Sequence, residues 1–241
     1  MTDLLQRILP SVQKPARYTG GEYNEIQKDP DSVRVNVAFC FPDTYEIGMS
    51  NVGMRILYGV MNEMDGVWCQ RVFHPWGDME AEMRRHSLPL WALESQRPVK
   101  DFDMIAFTIG YEMAYTSIVN MLDLAGVPLY AKDRTGLEQM VFAGGVCTCN
   151  PEPLAPFFDF FSLGEGEEST VEIVSLYDKA KAEGWTREQF LLEVSKIEGV
   201  YVPGFYEHIY NEDGTLKEII AREGQPEVHT KRIVEDLDKA Y

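Results

Sequence analysis

Four segments of the chain combine backbone-permissive and chemically active residues. They are Pro42-Asp43-Thr44-Tyr45-Glu46-Ile47-Gly48-Met49-Ser50-Asn51, Gly110-Tyr111-Glu112, Gly144-Gly145-Val146-Cys147-Thr148-Cys149-Asn150 and Gly164-Glu165-Gly166-Glu167-Glu168. Each follows a run with the apolar composition of a buried strand. Glycine in a strand-to-helix turn lets the backbone approach a ligand, and the helix N-terminus behind it favours an anion. The carboxylates of Asp43, Glu46, Glu112, Glu165 and Glu167 argue against a bare phosphate. They suit a neutral or cationic ligand, or one whose hydroxyls and amides donate to them. Taken singly, each loop also reads as a tight turn with acidic helix caps. The stronger expectation is that the four converge on one sheet edge, where open parallel sheets bind their ligands.

Other chemistries are disfavoured. No G-x-G-x-x-G follows the first strand-like run, and no G-x-x-x-x-G-K-[ST] occurs, so neither a nicotinamide fingerprint nor a P-loop is present. Ser50 and Ser117 have no evident histidine partner. His74, in Phe73-His74-Pro75-Trp76, reads as a packing or turn residue. The four cysteines, Cys40, Cys69, Cys147 and Cys149, offer one C-x-C pair and fit buried thiols in a reducing, cytoplasmic setting; a metal site is not expected. A flavodoxin-type phosphate loop would need more hydroxyls than Thr44 and Ser50 supply.

The elements that must position these loops follow from periodicity. Strand-like runs at Val33–Cys40, Val67–Phe73, Asp103–Ile109, Gln139–Ala143 and Phe157–Leu163 alternate with helical patterns. The helices are expected after Ser50 or Asn51, over Asp78–His86, Tyr115–Ala125 and Glu167–Glu183, and over Thr186–Val194. This alternation predicts an α/β fold: a doubly wound, five-stranded, mainly parallel sheet of flavodoxin-like type over residues 33–198. Residues 1–32 read as an irregular or partly helical lead-in. Residues 199–221, with a turn at Asn211–Gly214, read as a small C-terminal β appendage, and 222–241 as a linker or arm.

The 241 residues carry 22 Lys+Arg against 39 Asp+Glu, a net charge of −17, so this chain alone is not expected to bind nucleic acid. No apolar stretch has the length of a membrane span, and Met1–Ser11 have neither a basic n-region nor a long apolar core, so export is not expected.

Together these segments resemble the cobalamin-binding-type N-terminal domain of a group of bacterial radical S-adenosylmethionine (SAM) proteins. The likeness covers about residues 36–175 and rests on Phe41–Asn51, Arg71–Trp76 with Asp78–Glu80, Tyr111-Glu112 with Tyr115, Asn120–Gly126, Gly144-Gly145 with Cys147 and Asn150–Pro153, and Gly164–Glu168. The resemblance implies a corrin lying across the strand ends. Asp43, Tyr45 and Gly48 would approach its lower face. Thr108, Gly110, Gly144 and Gly145 would line the groove for its nucleotide tail, with Gly164, Glu165 and Gly166 closing the far side; Met49, Ser50, Tyr111, Glu112 and Asn150 complete the expected cofactor-binding set. Cobalamin domains with a histidine lower ligand carry D-x-H-x-x-G after the first strand, and here Tyr45 stands in the histidine's place. The implied alternatives are a base-off corrinoid without a histidine ligand, or a degenerate scaffold that docks the radical domain or its substrate. Under the second, Trp68, Trp76, Trp91, Tyr111 and Tyr115 are interface candidates. Enzymes of this class hold a [4Fe–4S] cluster with C-x₃-C-x₂-C, which is absent here, so the chain alone is not expected to be catalytic. It reads as the N-terminal piece of a longer protein or as a partner subunit, with the cluster and SAM in a radical domain in cis or on another chain.

Overall fold

The computed structural model describes residues 2–236 and 238. Strands β1 (Val35–Phe41), β2 (Val67–Phe73), β3 (Met104–Thr108), β4 (Met140–Gly144) and β5 (Phe160–Ser162) pair in parallel in the order β2-β1-β3-β4-β5. This is the flavodoxin-like winding, whose order reverses between β1 and β3. Both sides of the sheet are covered. Along β1, Val35, Val37, Phe39 and Phe41 enter the core beneath helices α3 (Val52–Glu63), α6 (Gly166–Glu183) and α7 (Arg187–Val194). Ala38 and Cys40 enter the opposite core, with α4 (Gly77–His86) and α5 (Tyr115–Ala125). A strand buried on both faces has no polar alternation, which is why these runs are continuously apolar.

Three features differ from the sequence expectation. The sheet has six strands, because β6 (Val200–Tyr201) adds antiparallel to β5 instead of joining the appendage. The fully buried Phe160 and Phe161 give β5 an edge that must be covered. The strand expected over Phe157–Leu163 shrinks to three residues, because Asp159 is spent on the Val141 amide and on the buried Arg134 and Arg187. Only β7 (Tyr206–Tyr210) and β8 (Leu216–Ala221) form the separate hairpin.

The lead-in is well packed. Beginning with helix α1 (Thr2–Ile8), it buries Leu5, Ile8, Val12 and Tyr18 in the α4/α5 core. Lys28 caps the carbonyls of Asn62 and Val67 at 2.7 and 2.5 Å. Lys14 and Arg17 both bond Glu46 of helix α2 (Tyr45–Ser50), and these bonds hold its carboxyl down to about 2. A depressed carboxyl stabilises the folded state above its unfolded value, and that stability is lost as pH falls from about 4.5 toward about 2. Glu46 and Lys14 are substantially solvated, so the contribution stays under about 1 kcal/mol. Arg17 also lies 5.5 Å from the Trp76 ring centroid. The tryptophan emission of the wild type should therefore shift within this pH window, and Glu46→Gln should abolish that shift. An identical titration in both proteins would refute the linkage.

Among the described residues no helix is long and apolar enough to cross a membrane.

Candidate functional site

At the carboxyl ends of β3, β4 and β5, on the face covered by α3 and α6, lies a hollow of about 220 Å³. Thr108, Gly144 and Ser162 end the three strands at its rim, and Phe39, Ala106 and Phe142, whose side chains face α3 and α6, form its floor. Leu57 and Met61 of α3 wall one side; Gly164, Glu165, Gly166 and Thr170 wall the other. The polar rim is tied down locally. Thr148 Oγ1 donates to the carbonyls of Gly145 (2.7 Å) and Ser162 (3.2 Å), and Ser162 shares a 3.1 Å hydroxyl bond with Ser169 of α6.

Backbone geometry separates the two adjacent glycines. Gly145 has φ +107°, and a Cβ there would stand 2.6 Å from the Ile109 carbonyl oxygen. Ile109 donates to the Gly144 carbonyl at 2.8 Å, so the β3 and β4 turns touch through their main chains. Gly144 differs: its Cβ would meet nothing nearer than the Ser162 oxygen at 3.8 Å. Glycine at 144 leaves space at the rim, whereas at 145 it is required by the fold.

Six of the sequence-predicted residues, Thr108, Gly144, Gly145, Gly164, Glu165 and Gly166, line this hollow. The segment after β1 does not. Gly48 is a packing glycine, since its Cβ would lie 2.2 Å from the Phe73 ring. Tyr45 turns toward the lead-in and donates to Glu22 at 2.8 Å; burial and that carboxylate push its phenol up to about 12. Met49 places its sulfur 3.2 Å from the Arg71 guanidinium. Gly48, Met49, Glu22 and Arg71 border a separate, open cavity of about 790 Å³ beside α3. Ser50 donates to the Ile47 carbonyl, and Asn51, not Ser50, caps α3 by accepting from Met54 N–H at 2.8 Å.

Asp43 accepts from the Tyr111 hydroxyl, joining the β1 and β3 loops at the sheet edge. That hydrogen bond pushes the Tyr111 phenol up to about 12. Gly110, Glu112 and Asn150 are exposed nearby in sequence but do not line the hollow. Their loops also expose Met113 and Val146, while Ile47 on α2, Val52 at the start of α3 and Trp76 after β2 are exposed as well. Trp68 and Trp91 are core residues, 3% and 4% exposed, so they leave the set of interface candidates. His74 is half-buried against Asn120 at 3.1 Å, in keeping with a packing role. Cys40, Cys69 and Cys147 are buried as expected, but Cys149 is exposed.

Sequence reasoning missed Ser162, Thr170 and Leu57. Ser162 had a usable signal, as the one hydroxyl ending an aromatic strand. Leu57 had none, because its spacing with Met54 and Met61 reads only as a core stripe.

Residues 53–203, well over half of the chain, match the family described as radical SAM proteins, N-terminal. Over 169 residues the chain is 26% identical to an uncharacterised protein of Methanocaldococcus jannaschii, a match covering 69% of this chain and 31% of that protein. The chain thus spans less than a third of that relative's length. No solved structure matches it.

Proposed function

This chain belongs to the N-terminal family of radical SAM proteins, and from that premise we propose that it is a corrinoid-binding accessory domain, holding the corrinoid base-off and without a histidine ligand. The observation that carries the reading is the hollow at the strand ends. Its apolar floor suits a flat aromatic base, and Thr108, Ser162 and Thr170 at its border suit the hydroxyls of an attached nucleotide. The corrin itself would lie over the mouth, near Gly110, Tyr111 and Asp43. The residues that border the hollow include no histidine, and Tyr45, at the signature position, faces Glu22 of the lead-in instead. A bound corrinoid supplies a cobalt centre for methyl or radical transfer. The residues here orient its tail, while Glu165 accepts from its amides or hydroxyls. SAM and the iron–sulfur cluster belong, in this reading, to a radical domain in cis or on a partner chain.

The test is retention of hydroxocobalamin after desalting. The expected result is a near-stoichiometric complex with a base-off visible spectrum. A colourless protein would refute the reading.

A second reading is favoured by one observation. Ile47, Val52, Trp76, Tyr111, Met113 and Val146 are all exposed in the segments that follow β1 to β4. Such an edge suits a scaffold that docks the radical domain without a cofactor of its own. A colourless protein that binds a separately expressed iron–sulfur domain would establish it.

A further inference from the structure

We infer that residues 231–234 are a positioning element of the hollow, locking the β5–α6 turn from behind; the part of this inference that concerns ligand affinity rests on the corrinoid reading.

The segment was expected to be part of a linker or arm, yet it lies across the Gly164–Gly166 turn. Arg232 pairs with Gly164 in a parallel bridge. Arg232 N–H donates to the Leu163 carbonyl at 2.8 Å, and Glu165 N–H donates to the Arg232 carbonyl at 3.0 Å. Val234, 6% exposed, donates its N–H to the Glu165 carboxylate. The Arg232 guanidinium bonds Glu168 and Glu172 on α6, both at 2.8 Å.

Two glycines depend on this strap. Gly164 has φ +100°, and its Cβ would fall 2.1 Å from the Arg232 carbonyl oxygen. Gly199 has φ +86°, and its Cβ would fall 2.6 Å from the Leu163 oxygen and 3.0 Å from the Arg232 nitrogen. Leu163 also donates to Gly199 at 2.7 Å. The start of β6, the turn and the strap are therefore interlaced main chain to main chain. Gly164 is glycine because the strap passes over it, not because a ligand does.

Glu165 joins the strap to the hollow. It lines the hollow, and the strap holds one of its carboxylate oxygens. Docking of the strap and filling of the hollow thus act on one turn. Any effect of strap docking on filling of the hollow is matched by an equal effect in the other direction, since coupling between two sites is reciprocal, and a strap that holds Glu165 in place makes that effect favourable. The strap runs parallel to β5, so it leads the chain toward the carboxyl edge, beside the hollow's mouth.

The test is amide hydrogen exchange on the full chain, in wild type, Val234→Pro, Arg232→Ala and Arg232→Lys, combined with hydroxocobalamin titration. Val234→Pro removes the donor to Glu165, and Arg232→Ala removes the clamp on α6; neither alters the turn itself. Both should accelerate exchange over residues 160–170 by about tenfold while β3 and β4 stay protected. Both should raise the hydroxocobalamin half-saturation concentration by about tenfold. Arg232→Lys, which keeps the charge but not the fork, should lose less than Arg232→Ala in both measurements, and hydroxocobalamin should slow exchange of turn and strap together in the wild type. Faster exchange of the strap with an unchanged turn would overturn the inference, as would a loosened turn with unchanged affinity. If the wild type takes up no hydroxocobalamin, the corrinoid reading falls, and the exchange coupling between strap and turn decides this inference alone.

Discussion

Replacing Arg71 with Met should destabilise the protein by about 3–5 kcal/mol at neutral pH, the usual loss when one partner of a buried ion pair is removed. Arg71 stands on β2 with a side chain 7% exposed, and its partner Glu94 is fully buried. The guanidinium Nε meets Glu94 at 2.6 Å, and the Arg71 amide donates to the second Glu94 oxygen at 2.7 Å. Nη2 reaches Glu22 of the lead-in at 2.8 Å, and the guanidinium carbon lies 5.0 Å from the Tyr58 ring centroid. Loss of Arg71 strands Glu94 as a buried charge and also frees the lead-in from β2. The pH dependence identifies the cause. Burial already pushes the Glu94 carboxyl up, and Arg71 opposes that shift. Without Arg71 the folded carboxyl rises further above its unfolded value, so the variant's stability declines as pH rises through the new folded value. Urea midpoints should show a smaller deficit at pH ~5 than at pH ~8, and Glu94→Gln added to Arg71→Met should recover part of the loss at pH ~8. A deficit independent of pH would mean that packing, not the stranded carboxylate, sets the cost.

The second large effect separates two adjacent glycines. Gly144→Val should leave stability within about 1 kcal/mol of wild type, because its Cβ has 3.8 Å of clearance and valine suits the end of a strand. The same change narrows the rim of the hollow, and hydroxocobalamin affinity should fall at least tenfold, or by ~1.4 kcal/mol. Gly145→Ala should behave in the opposite way. With φ +107° and a Cβ 2.6 Å from the Ile109 oxygen, it should cost about 2 kcal/mol or more in folding and pull the β3 and β4 turns apart. Melting curves and dye retention measured on both variants decide the matter. If Gly144→Val bound hydroxocobalamin as the wild type does, the tail would have to lie elsewhere.

Much of the framework was readable from local chemistry. Residues such as Met104–Phe107 and Met140–Ala143 are apolar at every position, because strands buried on both faces must be, and Gly126 and Gly184 end helices in left-handed conformations. The positions of Thr108, Gly144 and Gly164–Gly166 at the hollow follow from the same logic, since strand ends in a parallel winding share one edge.

The roles of Tyr45, Gly48 and Met49 were not readable. Their neighbours Glu22, Arg71 and Phe73 come from segments whose contact depends on how the lead-in folds back over β2. The strap was hidden for a further reason. Arg232 meets Leu163 and Glu165 largely through backbone groups, which every residue type except proline possesses, so no side-chain pattern announces the pairing. Composition and periodicity determined that this chain is a doubly wound α/β domain with glycine turns gathered at one edge. Only the tertiary structure decided which of those turns enclose space and which are filled by the protein itself. Local sequence encodes the shape of a turn, whereas the atoms that come to lie against it are brought there by distant parts of the chain.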